Sequence, residues 1–269
     1  MNEQNIGRTE VMTLKILKQK CVTLPILWLT ILSIWQLAAK IYGPEVIAGP
    51  IDTVKGAAEL LEDGSLLYYI GISFYRVFVG WVLGSLIAIP IGLVVGKVKV
   101  IRVFVEPVLN FVRFIPPIAF ITLFLVWFGI GEQSKIALIT YATLFIVIIN
   151  TLTGVLAVEE DKIRAAKSMG ASEWQILVHV IIPASMPYIF TGVRLAMGTS
   201  FMAIVGAEMI AANEGVGYLI WNSRLFFRTD WIFVGLISLG LMGFLTDRVV
   251  DWFGRKVLYR YGVIGSKAN

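Results

Sequence analysis

An all-helical integral membrane protein with about six transmembrane helices is the fold class this sequence predicts, and three observations predict it. Its 269 residues are 58% hydrophobic and 15% charged, where a soluble domain carries roughly 25% charged residues. Mean hydropathy is +0.82. Six windows, 24–41, 68–95, 103–128, 136–158, 187–211 and 231–250, reach the length of about 20 apolar residues that a bilayer crossing requires.

Residues 1–23 read as a polar N-terminal tail on the cytoplasmic side, with a weak amphipathic pattern at Leu14 and Leu17. The first window is basic and then apolar, as a secretory signal is, but it is long and lacks a clear small-x-small cleavage site, so it is read as a retained helix. Trp28 and Trp35 suit either headgroup anchoring or packing. Gly43-Pro44 and Gly49-Pro50 then make an external turn, and Asp52 or Thr53 caps a short amphipathic surface helix that ends near Asp63-Gly64.

The second window carries Gly80 and Gly84, then Gly92 and Gly96. This four-residue spacing lets helix backbones approach closely in lipid, where packing and not hydrophobic expulsion drives association. Pro90 between the pairs should bend the helix. Residues 92–97, GLVVGK, superficially resemble a phosphate-binding loop, but three residues separate the glycines where four are needed, and Val98 replaces the hydroxyl that would ligate magnesium. The segment is not read as a phosphate site. In the third window Arg113 stands close to Pro116-Pro117. Two prolines withdraw backbone donors and kink or interrupt a helix, and the freed carbonyls are tolerated only against protein or a water-filled cavity.

Between the fourth and fifth windows lies a polar island, residues 159–183. Ile163, Ala166 and Met169 repeat at helical spacing, and Gly170 sits where a left-handed helix stop is least costly. Ser172 starts a second helix as N-cap with Gln175 three residues on; Trp174, Leu177, Val178 and Ile181 form its apolar face and Pro183 closes it. Lipid is a poor partner for Lys162, Arg164 and Lys167, so the hairpin is read as a surface for another protein. His179 has neither a second histidine nor a thiolate nearby, and a packing or surface role suits it better than metal ligation.

Lys and Arg favour the cytoplasmic side of a membrane. Fifteen of them fall in the N-terminal tail, the second loop, the fourth loop and the C-terminal end, against four (Lys55, Lys135, Arg224, Arg228) in the first, third and fifth loops. Both termini are therefore expected inside, along with the 159–183 island. The net charge of +5 is distributed by membrane side and not gathered on one soluble face, which argues against nucleic acid. A single cysteine, Cys21, excludes an internal disulfide and a thiolate metal cluster. No nucleophile with its base, paired general acid and base, or metal cluster is recognisable, so the chain is not expected to be an enzyme.

Arg76, Arg113, Arg194 and Glu208 lie in or beside apolar windows, where a central charge costs about 2.5–3.5 kcal/mol on insertion scales. Arg76 and Arg194 are read as paired or snorkelling. Arg113 and Glu208, each beside an irregular or small-residue stretch, are read either as lining a translocation path or gate or as paired internally.

Arg164-Ala165-Ala166, Gly170 and, thirteen residues on, Pro183 resemble the E-A-A, G, I-x-L-P signature of permease subunits of binding-protein-dependent ABC importers. Arg164 stands where the signature has Glu. Phe128 to Glu132, Pro183 to Arg194, Ala207-Glu208 and Gly215 to Tyr218 resemble the nitrate, taurine, aliphatic sulfonate and bicarbonate branch, in which that arginine is also familiar. The resemblance implies a MetI-like type I importer permease fold in the cell inner membrane, with a permease domain over 24–253 and a cytoplasmic tail over 254–269. It implies that the hairpin is a coupling helix whose Ile163, Arg164, Ala165, Ala166, Met169, Gly170, Ala171 and Ser172 meet a cytoplasmic ATPase. It also implies a second permease copy, an external solute-binding protein, and ATP and magnesium at the partner ATPase with no cofactor on this chain. Path or gate residues under this reading are Arg113, Pro116, Pro117 and Glu208. The competing class is a secondary transporter driven by an ion gradient through Arg113 and Glu208.

Overall fold

The computed structural model describes residue 23 and residues 25–259, with side chains through residue 256. The expectations for the N-terminal tail, Cys21 and the chain from Arg260 onward lie outside the described residues. Long apolar helices run over Pro25–Tyr42 (α1), Ser65–Lys97 (α3), Glu132–Leu156 (α6) and Thr229–Tyr259 (α11), and a continuous stretch over Glu173–Ala211 comprises α8 (Glu173–Ile176) and α9 (Ile182–Ala211). The third expected span is present as a broken pair. Helix α4 (Lys99–Val112) and the segment Pro117–Phe128, a 3-10 turn leading into α5 (Ile121–Phe128), meet at 91°. Pro116 and Pro117 sit at the break, where their missing donors leave the helical ladder unable to continue.

The short surface helix is α2 (Pro50–Glu62). Its N-cap is Gly49 and not Asp52 or Thr53, because Pro50 fits the first helical position, where its fixed φ is suitable and its absent N–H would be unpaired anyway. The two expected caps act one turn later. The Gly49 amide donates to the Asp52 carboxylate at 3.3 Å, and Thr53 Oγ1 donates to the Gly49 carbonyl at 2.9 Å.

Helix α6 is the centre of the subunit, packed between α3 and α9. Its contact with α3 is a ladder of small residues at every fourth position: Gly80, Gly84, Ala88, Gly92 and Gly96. A Cβ added at Gly80, Gly84, Gly92 or Gly96 would stand 2.6 Å from the Cβ of Ile139, Thr143, Thr151 or Val155 respectively. The backbones are therefore as close as glycine permits, which maximises dispersion in a setting where lipid offers no hydrophobic drive. Residues 92–97 lie inside α3, where Gly92 and Gly96 pack helix on helix. On the opposite face of α6, Gly192 of α9 meets Asn150 in the same way. Hydrogen bonds cross the three-helix layer from Trp81 Nε1 to the Val193 carbonyl at 2.8 Å and between Thr143 and Ser200 at 3.0 Å.

Helix α1 is mostly exposed and meets the rest of the subunit through Trp35. Its indole donates to the Ala48 carbonyl at 2.9 Å and stacks on Phe233 at 5.2 Å, which is packing, whereas Trp28 is exposed. Helix α10 (Val216–Ser223) packs between α9 and the start of α11.

Candidate functional site

Three places carry charge or irregular backbone in this apolar scaffold. At one end, α7 (Glu160–Ser168) and α8 (Glu173–Ile176) form the hairpin. Gly170 has φ +80°; its amide donates to the Lys167 carbonyl at 2.9 Å, and the Ala171 amide donates to the Ala166 carbonyl at 3.1 Å. This pair of bonds closes the last turn of α7 as a Schellman stop, which the glycine makes unstrained. The α8 start is a reciprocal cap: Gln175 N donates to Ser172 Oγ at 3.3 Å, and Ser172 N donates to Gln175 Oε1 at 2.8 Å. Both features match the expectation.

The second helix does not end at Pro183. It passes through a π segment, Leu177–Ile181, directly into α9. The wider turn sends the Ile182 amide to the Leu177 carbonyl, so the ladder has already shifted register when it reaches the proline that lacks a donor. The hairpin is thus rigidly continuous with a membrane helix. Its apolar face is also rotated from the expected one. Ile176 and Ile181 are buried with Ala166 and Val155, while Trp174 is 71% exposed.

Of the eight expected coupling residues, Arg164, Ala165, Met169, Gly170 and Ser172 are exposed, Met169 at 82%. Ala166 is buried in the hairpin's own core, with Ile163 and Ala171 packed partly against it. Arg164 pairs with Glu160 at 2.9 Å. Lys97, at the end of α3, was not singled out in the sequence, yet its ammonium donates to the Glu173 carbonyl at 2.7 Å and lies 3.4 Å from that residue's carboxylate. Lys167 pairs with the same carboxylate at 2.8 Å.

The second place lies toward the opposite end of α3. Arg76 and Glu208 are both wholly buried and joined at 2.7 Å. Arg76 also donates twice to Glu132 at 2.6 Å and to the Glu214 carbonyl at 2.9 Å. Ser73 Oγ donates to Glu208 and accepts from the Val216 amide at 2.8 Å, and the Gly217 amide donates to Glu208 at 2.8 Å. Gly215, at φ +112°, passes so close that a Cβ would stand 2.4 Å from the Glu208 carboxyl carbon. A carboxyl group this deeply buried is tolerated only when its oxygens are hydrogen-bonded. Glu132, Glu208, Gly215 and Gly217 lie far from Arg76 in sequence, and together they enclose the Arg76–Glu208 pair. Arg194 is paired too, with Asp247 at 2.6 Å and Asp251 at 2.5 Å.

The third place is the α4–α5 break. Arg113 caps the end of α4 and lies over the Phe114 ring at 5.0 Å. It has no carboxylate partner among the described residues. Arg113 and Pro117 line a cavity of about 370 Å³, to which α6 contributes Tyr141 and Asn150 and α9 contributes Thr199. Pro116 is exposed beside it. The structure does not bring Arg113 and Glu208 together.

The family model for the inner membrane component of binding-protein-dependent transport systems matches residues 84–259. The taurine transport system permease of Escherichia coli K12 is 32% identical over 237 residues, covering 84% of this chain and 86% of that protein. The nitrate import permease of Synechococcus elongatus is 32% identical over 239 residues, covering 84% and 86%. The fold is that of the permease chain in an inward-facing structure of the MetNI methionine ABC transporter, with a TM-score of 0.58 at 20% identity over 70% of this chain and 95% of that one. An ABC permease works with ATPase subunits and a binding protein. The chain belongs to this family, in the branch with the nitrate and taurine permeases, and is a non-catalytic, multi-pass inner-membrane subunit whose ATP is hydrolysed by a partner.

Proposed function

We propose that this subunit forms, with a second copy of itself, the translocation path of an importer for a small anion, most directly a sulfonate such as taurine, with nitrate or bicarbonate as the related class. The relatives' names supply the class. The exposed face of the hairpin around Arg164, Ala165, Met169, Gly170 and Ser172 is the ATPase contact, with Ala166, Ile163 and Ala171 shaping it from beneath. Both termini and the hairpin face the cytoplasm, in keeping with the fifteen-to-four distribution of Lys and Arg.

One observation carries the coupling reading: the hairpin runs without a hinge loop into α9 and is tied through Lys97 to α3, the two helices that flank α6. Force applied at Met169 is thereby delivered to the helices that line the core. Closure of the partner ATPases tilts these helices and exchanges outward for inward access. Family membership supports this over an ion-gradient transporter, as does the separation of Arg113 from the fully paired Glu208.

The test is uptake by the reconstituted permease, ATPase and binding protein. Uptake should stop when the ATPase is inactivated and persist when the proton gradient is collapsed; the reverse result would restore the ion-driven alternative.

A further inference from the structure

We infer that Arg113, Tyr141 and Asn150 form an oxyanion subsite inside the permease, a proposal that rests on the small-anion reading above. The argument begins with what each group has left to offer. Arg76 and Arg194 have their guanidinium groups saturated by carboxylates. Arg113 has only the face of Phe114, so its N–H donors are uncommitted among the described residues. Arg113 is exposed at the edge of the adjoining cavity, so its planar fork of donors is open to an incoming anion.

The cavity next to it supplies matching groups. The Tyr141 hydroxyl is buried with no hydrogen-bond partner among the described residues, although its ring packs on Phe120 at 4.4 Å and Phe145 at 5.0 Å. A buried hydroxyl left unpaired costs about 1–3 kcal/mol unless a ligand or water satisfies it. Asn150 spends one amide N–H on the Ile146 carbonyl at 2.8 Å and keeps the other. Thr199 gives its proton to the Ala196 carbonyl at 2.9 Å. Among the described residues no aspartate or glutamate lines the cavity. A cation with neutral donors and no acid suits a compact oxyanion such as a sulfonate or nitrate, which accepts hydrogen bonds, whereas an ammonium finds no carboxylate there. The volume of about 370 Å³ falls at the small end of ligand sites.

The chemistry also fits a path. The cavity is built from the α4–α5 break, α6 and α9, so any tilt of α9 against α6 changes its shape, and a transported ion must be released as well as bound. A single cation with neutral donors is weaker than the carboxylate-saturated clamps elsewhere in the subunit.

The experiment uses the full permease–ATPase–binding-protein assembly in liposomes, with Tyr141→Cys in a Cys21→Ser background. The modification rate of the new thiol by 2-sulfonatoethyl methanethiosulfonate is compared with that by its trimethylammonium analogue, each corrected for its rate with a free thiol. The sulfonate reagent should react about tenfold faster, as charge focusing in a cleft predicts; methanesulfonate should slow it, and Arg113→Gln should remove the preference. Asn150→Cys serves as the second probe position if Tyr141→Cys does not assemble. Equal rates for both reagents, or a preference unmoved by Arg113→Gln, would overturn the subsite. Failure of the unmodified assembly to take up taurine, nitrate or methanesulfonate with ATP would instead overturn the small-anion reading beneath it.

Discussion

Arg76 and Glu208 meet at 2.7 Å with neither side chain exposed; the Glu132 and Glu214 carboxylates also reach Arg76, at 2.6 and 3.3 Å, and the Gly217 amide donates to Glu208. The consequence is that α3, α6, α9 and the loop into α10 are pinned at one end of the bundle, while the hairpin lies at the other.

Removing one partner of such a pair leaves an uncompensated buried charge. Glu208→Ala should destabilise the subunit by about 3–5 kcal/mol, and Glu208→Gln, which keeps the shape and one acceptor, by less. Thermal unfolding of the purified permease in detergent measures both; equal stability of Glu208→Ala and the parent would show that the network is dispensable.

The α3–α6 ladder makes a contrast between glycines. Gly84 has no room for a methyl group, since its Cβ would meet Thr143 at 2.6 Å, while Gly71 on the same helix has nothing within 4 Å. Gly84→Ala should cost about 1–3 kcal/mol through overpacking, and Gly71→Ala should be neutral or slightly stabilising. Yield and melting temperature of the two variants decide it.

Gly170→Glu should abolish copurification of the ATPase, because it places strained backbone, bulk and charge at the hairpin tip, where φ is +80°. Gly170→Asn, which tolerates the left-handed conformation, should retain the complex. Copurification by both variants would remove the tip from the docking face.

Glu59 on α2 receives two guanidinium bonds from Arg228, the shorter at 2.5 Å, and this contact holds its carboxyl below the ordinary glutamate range. A lowered folded-state value means that the contribution is complete above the unfolded value and is lost as pH falls through the folded one. The α2 tether should therefore weaken only in acid, and Glu59→Gln should flatten that part of the pH profile of melting temperature.

Much of the scaffold was legible before any coordinates. Apolar runs located the spans, the four-residue glycine spacing foretold a close helix contact for α3 without naming its partner, Pro116-Pro117 foretold the break, and Gly170 with Ser172 and Gln175 foretold both hairpin caps. These features depend on residues close in the chain or on a single chemical property, which pattern alone reveals. The helix boundary at Pro183 was misjudged because a π turn, invisible to periodicity, carries the helix past the proline. The rotation of the hairpin's apolar face onto Ile176 follows from packing against Val155, which only the fold brings near.

Composition and spacing by themselves determined that this chain crosses a membrane about six times and presents a capped polar elbow, since hydropathy and backbone stereochemistry are local properties. Only the tertiary structure decided which charges in the spans are mutually satisfied: Arg76 is neutralised by carboxylates 56 and 132 residues away, while Arg113 is exposed and has no carboxylate partner among the described residues. Charge pairing depends on distance in space, and no order of residues along a chain encodes that until the helices have packed.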